Sequence, residues 1–111
     1  VTILMKKSSG QFSSLRQAIL RKREEEIQRL ERKAWEKARA VASLLKENYQ
    51  VTSVILYGSL AWGGFHQGSD IDLFLEGFRG DYWQMYLAVE RVADPFEVSL
   101  VLAEEAAPTL F

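Results

Sequence analysis

Asp70 and Asp72 stand one residue apart in the run Asp70-Ile71-Asp72-Leu73-Phe74-Leu75. Its alternation reads as a strand, and a strand's period of two puts both carboxylates on one face, with Ile71 and Leu73 on the other. Two like charges so placed repel each other, and neither gains from apolar surroundings. A divalent cation between them removes that cost. Magnesium suits the role, because it takes a few carboxylates and completes its shell with phosphate oxygens and water. Two such ions could clamp the attacking and leaving oxygens of a phosphoryl transfer. Taken alone, the pair reads more simply as the solvent-facing edge of an amphipathic strand.

The pair is not alone. Gly58-Ser59 closes an earlier apolar run, and ten residues separate Ser59 from Asp70. A glycine there lets backbone approach a ligand closely. The N–H groups of Ser59 and Leu60, near a helix start, would cradle a triphosphate, and the Ser59 hydroxyl would bond a phosphate oxygen. An ordinary strand-to-loop turn would use the same two residues for conformational reasons alone. His66 is the single histidine and there is no cysteine. Disulfides, thiolate metal sites and multi-histidine zinc sites are therefore excluded. His66 itself reads as a loop residue, with a phosphate contact as the alternative.

These residues need a scaffold. Thr52–Tyr57 (TSVILY) reads as a first strand, its apolar run suggesting burial on both faces. Gly58–Ser69 holds four glycines and reads as a loop, with a short helix starting near Ser59. Asp70–Leu75 is the second strand, Gly77–Gly80 a turn. Asp81 caps a helix over Tyr82–Ala93 that Asp94-Pro95 ends. Phe96–Leu102 is the third strand. Ahead of them all, a helix runs from a Ser13 or Ser14 cap to about Asn48, with no glycine or proline inside it. Over residues 13–48 it would be about 50 Å long, more than one small sheet can cover. Its stretch Arg21–Glu26 (RKREEE) has no apolar member, so the first turns project from the domain or pack on another chain, giving a route to a homo-oligomer. Leu30–Leu45 is the core-facing half. Residues 1–11 read as a flexible N-terminus broken by Ser8, Ser9 and Gly10. Residues 12–111 read as a single domain, and Pro108 argues against a long closing helix.

The 111 residues are 48% hydrophobic and 26% charged, an ordinary globular composition. The net charge of −1 conceals an asymmetry: residues 1–50 hold twelve Lys/Arg and six Asp/Glu, and residues 51–111 hold two and nine. Such a division suits a phosphate-bearing ligand or acidic partner on one side and cations on the other, or a solvated helix face. The basic helix interleaves glutamates and has almost no aromatic residue besides Trp35, which argues against a nucleic-acid binder. No apolar run reaches the roughly 20 residues of a membrane helix. The charge of Lys6 and Lys7 follows the short apolar start, the wrong side for a signal peptide. With no cysteine, the cytoplasm is the expected compartment.

Residues 56–75, LYGSLAWGGFHQGSDIDLFL, resemble the G-S-x10-D-x-D signature of the polymerase-beta-like nucleotidyltransferases, and most of all the minimal nucleotidyltransferase (MNT) group. The resemblance covers roughly residues 30–102. It implies an α/β (α+β) fold in which a short mixed sheet is backed by helices. It implies transfer of a nucleotide, AMP from ATP with Mg2+, to a protein partner. It also implies an antitoxin role beside a HEPN-domain protein, an RNase-like toxin. Gly58 and Ser59 would hold the nucleotide phosphates, and Asp70 and Asp72 the metals. The family's third carboxylate falls at Ser99, where relatives carry Asp. Glu97, two residues earlier on the same face, is the candidate substitute. Trp62 and Gly68 stand where relatives carry basic residues. Trp62 is expected in core or interface packing, with stacking on adenine as the alternative. Loss of a carboxylate and of positive charge also admits a second reading, a degenerate domain that neutralises or scaffolds its partner by contact.

Overall fold

The computed structural model describes residues 2–105, with side chains from Ser13 onward. The elements are α1 (Thr2–Asn48), β1 (Ser53–Tyr57), α2 (Ser59–Trp62), β2 (Ile71–Glu76), α3 (Tyr82–Ala93) and β3 (Val98–Leu102). They form a mixed sheet in the order β1-β2-β3, with β1–β2 antiparallel and β2–β3 parallel. A parallel pair needs a crossover, and α3 supplies it.

The expected α+β arrangement is what the chain adopts, with two corrections. The first helix starts at Thr2, not at Ser13 or Ser14, and runs through Ser8, Ser9 and Gly10 without a break. One glycine inside a helix costs only about 1 kcal/mol relative to alanine, and no proline is there to interrupt the ladder. The second correction concerns β1. It is an edge strand, with Ile55 and Tyr57 exposed and Val54 and Leu56 half-buried. Its apolar run suggested two covered faces, but the helices cover only one. The tail beyond Glu105, including Pro108, lies outside the described residues.

The core sits between the covered face and the helices. Ala34, Ala38, Val41 and Leu45 of α1 recur at helical spacing and are buried. They meet Met85, Val89 and Ala93 of α3 and Ile71, Leu73 and Leu75 of β2 in one cluster. Full burial of a Leu, Ile or Met side chain stabilises by about 1.5–3 kcal/mol. Asp81 caps α3 as expected, its Oδ1 accepting from the N–H groups of Trp83 at 3.0 Å and Gln84 at 3.2 Å. Residues 13–29 of α1 are exposed throughout. The helix of 47 residues therefore projects well beyond the body, and the longest dimension of the molecule is 70 Å.

Candidate active site

β2 positions the site by alternation. Ile71, Leu73 and Leu75 point into the core, so Asp72 and Phe74 must face the other way, and Asp70, one residue before the strand, shares that open face. Register then decides the neighbours. Tyr57 of β1 and Ser99 of β3 flank Asp72 directly across the sheet. One row on, Ile55, Phe74 and Val101 form an apolar strip beneath the polar one. Residues directly opposite share a face, so Tyr57, Asp72 and Ser99 line up side by side.

Gly58 follows Tyr57 with φ +76°, a conformation that L side chains rarely adopt. A second reason also demands glycine. A Cβ at this position would lie 2.9 Å from Cγ of Asp72 and closer still to its Oδ2. The Asp72 carboxylate therefore lies over the bare Gly58 backbone, and the G-S turn and the D-x-D strand form one contact. Gly58 then caps α2, a single turn in which the Trp62 N–H donates to the Gly58 carbonyl at 3.1 Å. The first N–H groups of any helix lack an acceptor within it, and Ser59 and Leu60 hold those positions directly after Gly58. Leu60 is buried, which pins the turn.

Electrostatics on the open face are unfavourable for carboxylates alone. Burial first, and the charge of Asp70 second, raise the Asp72 pKa above its ordinary value. Tyr57 is raised as well, by burial and then by the Asp72 charge. In both cases burial is the larger cause and a neighbouring negative charge the smaller.

The third strand carries Ser99 in register with Asp72 and Glu97 just ahead of the first ladder pair, Ile71–Val98. The Ile71 N–H donates to the Glu97 carbonyl at 2.9 Å, so the parallel register sets Glu97 beside Asp70 rather than beside Asp72. Asp70 and Glu97 share the rim of a cleft of about 490 Å³, whose walls include Lys33, Phe65, His66 and Phe96. Lys33 was missed by sequence reasoning: it sits far upstream on α1, and only packing brings it here. Tyr57 was missed for the same reason, although an aromatic residue directly before Gly58-Ser59 was visible. Phe65 is buried and edge-on to Phe96, with ring centroids 5.8 Å apart. Trp62, expected in packing, is 86% exposed, so within this chain it packs in no core. His66 is exposed and bonds locally, its backbone N–H donating to Ser69 Oγ at 3.1 Å.

Residues 38–105 match the family model described as a nucleotidyltransferase domain. This chain belongs to that family. The match spans β1 through β3 and so covers the Gly58-Ser59 turn, both aspartates and Glu97, while leaving out the projecting part of α1. No curated protein matches the chain. A nucleotidyltransferase domain acts in nucleotide transfer, and this one has the polymerase-beta-like order of helix, strand, G-S turn and D-x-D strand. Its donor set fits a divalent cation: the Asp70 and Asp72 oxygens lie on one face, and Asp72 is half-buried with a raised pKa. Among the described residues no three His, Cys, Asp or Glu side chains converge as a metal-holding group. Phosphate oxygens and water would therefore complete the shell, as magnesium prefers. Among the described residues, too, no helix is long and apolar enough to cross a membrane.

Proposed function

We propose that this domain transfers a nucleotide, AMP from ATP, to a hydroxyl group of a protein partner, and that the partner is a HEPN-domain toxin for which the domain serves as antitoxin. The observation that carries the reading is the Asp72 carboxylate seated on the Gly58 backbone, with Asp70 on the same face. That contact joins a phosphate-binding turn to the metal-binding strand. Asp70 and Asp72 would hold Mg2+, which when bound neutralises phosphate charge and lowers the barrier at phosphorus.

This chain's own residues divide the remaining work. The Ser59 hydroxyl and the backbone N–H groups at Ser59 and Leu60 orient the triphosphate. The acceptor hydroxyl approaches from the cleft at the Asp70–Glu97 rim. Its oxygen forms a bond to the α-phosphorus, the bond from that phosphorus to the bridging oxygen breaks, and pyrophosphate leaves. The hydroxyl proton passes to Glu97, a carboxylate on the wall of that cleft. The test is incubation with labelled ATP, magnesium and the HEPN protein. Label is expected on the partner with the wild type, a large loss with Glu97→Gln, and none with Asp70→Asn or Asp72→Asn. Labelling by Asp72→Asn at the wild-type rate would refute the reading.

A specific observation favours a second reading, a domain that neutralises its partner by contact. Ser99 is neutral and stands in register with Asp72, where a third carboxylate would complete the site. On that reading the Asp70→Asn/Asp72→Asn double variant still co-purifies with the HEPN protein and still suppresses its toxicity. Loss of suppression with retained binding leaves only transfer.

A further inference from the structure

The projecting half of α1 carries an apolar stripe that nothing in the described chain covers. Leu15, Ile19, Leu20 and Ile27 are each between 43% and 55% exposed, and Leu30 is half-buried where the body begins. Beside the body, Arg23, Glu26, Ile27 and Leu30 line a shallow groove with Gln67 as its far wall. The stripe continues the seam that α1 buries further on at Ala34, Ala38, Val41 and Leu45, so the same face runs from the core out into solvent.

One property of this face selects its occupant. Ile19, Arg23, Glu26 and Leu30 follow one another at steps of four, three and four, the spacing of a seam between two packed helices. Read from either end the order is apolar, charged, charged, apolar, and the two charges are opposite. Two copies laid antiparallel about a two-fold axis near residues 24 and 25 set Ile19 against Leu30, Arg23 against Glu26, and the same pairs again on the other side. Leu20 and Ile27 flank the stripe and come opposite Arg29 and Lys22 of the second copy, whose alkyl stems cover them. A parallel pairing instead puts Arg23 against Arg23 and Glu26 against Glu26, which costs free energy at both levels. A two-fold interface must be self-complementary, and this stripe is.

We propose that the projecting half of α1 pairs antiparallel with the same segment of a second copy, over roughly residues 19–30. Beyond Leu30 the seam is already filled by α3 and the sheet, which limits the overlap. Contact over so short a segment makes a concentration-dependent dimer rather than an obligate one. Leu30 also lines the cleft that holds Asp70 and Glu97, so the interface ends at the edge of that cleft.

The experiment is sedimentation of the full chain across a wide concentration range, with circular dichroism as the control for folding. The wild type is expected to go from monomer to dimer. Arg23→Glu alone sets Glu against Glu and raises the dissociation constant by at least about tenfold, and Glu26→Arg does the same with Arg against Arg. The double variant Arg23→Glu/Glu26→Arg restores opposite charges and returns the constant to near the wild-type value. The two single variants, mixed, form a heterodimer. A wild type that stays monomeric throughout, a dimer indifferent to either single reversal, or a double variant no better than the singles would each overturn the proposal.

Discussion

The two faces of β2 are built from alternate residues of one short run and obey opposite rules. On the covered face, Ile71, Leu73 and Leu75 are at most 1% exposed and pack against α1 and α3. On the open face, Asp70 is exposed and Asp72 sits half-buried between Tyr57 and Ser99. The covered face lowers the free energy of folding. The open face raises it, since Asp72 is pressed by burial and by Asp70 away from the charged state it needs. The carboxylate pair is an electrostatic cost in the free protein, and the covered face must offset it. The strand tolerates this because its period of two keeps the two roles on separate sides.

The comparison can be broken from either side, and the largest effect is on the open one. Asp72→Asn should lower nucleotide transfer by about a thousandfold while leaving the protein folded, measured as label transferred per minute against far-UV circular dichroism. On the covered face Leu73→Ala should do the reverse. It should cost about 2–5 kcal/mol of stability by urea unfolding, with transfer per folded molecule little changed. Gly58→Ala lies between these, because the site and the turn meet there. Its φ of +76° and the Asp72 carboxylate both oppose a side chain, so a loss of about 1–3 kcal/mol and most of the activity is expected. Gly77→Ala is the matching control. Its φ is +82° and its Cβ would strike the Thr52 side chain, so it should lose stability without touching the chemistry.

The smallest effect tests the sign of the open-face cost. Because the folded pKa of Asp72 is raised, ionisation destabilises the folded state. That penalty is complete above the raised pKa and fades as pH falls through it toward the ordinary carboxylate value. In chelator at neutral pH, Asp72→Asn should therefore melt above the wild type, with the gap closing in acid. Added magnesium should raise the melting temperature of the wild type more than that of the variant. An Asp72→Asn protein less stable than wild type at neutral pH would show that the open face is not under strain.

Local chemistry made much of the molecule legible before any folding. The alternation of Asp70–Leu75 determined which residues share a face, because a strand has only one period. Asp81 and Asp94-Pro95 bounded α3, since a cap and a proline act within one turn. The spacing from Gly58-Ser59 to Asp70 and Asp72 pointed to a nucleotidyltransferase domain without a single contact being known. The family match over residues 38–105 agrees with that identification.

Other features depended on residues far apart in the chain, and only the tertiary structure decided them. Which face of β1 is open follows from which side the helices take, and an apolar run reads alike in either case. That Gly58 must be bare follows from Asp72 lying over it, fourteen positions later. That Ser99 stands beside Asp72 while Glu97 stands beside Asp70 follows from the parallel register of β3, which a strand's own pattern cannot set. Lys33 reaches the cleft, and Phe65 the core, through packing alone. That Asp70 and Asp72 share a face was written in the sequence by a period of two. Their neighbours were not, because proximity across a sheet is a property of pairing.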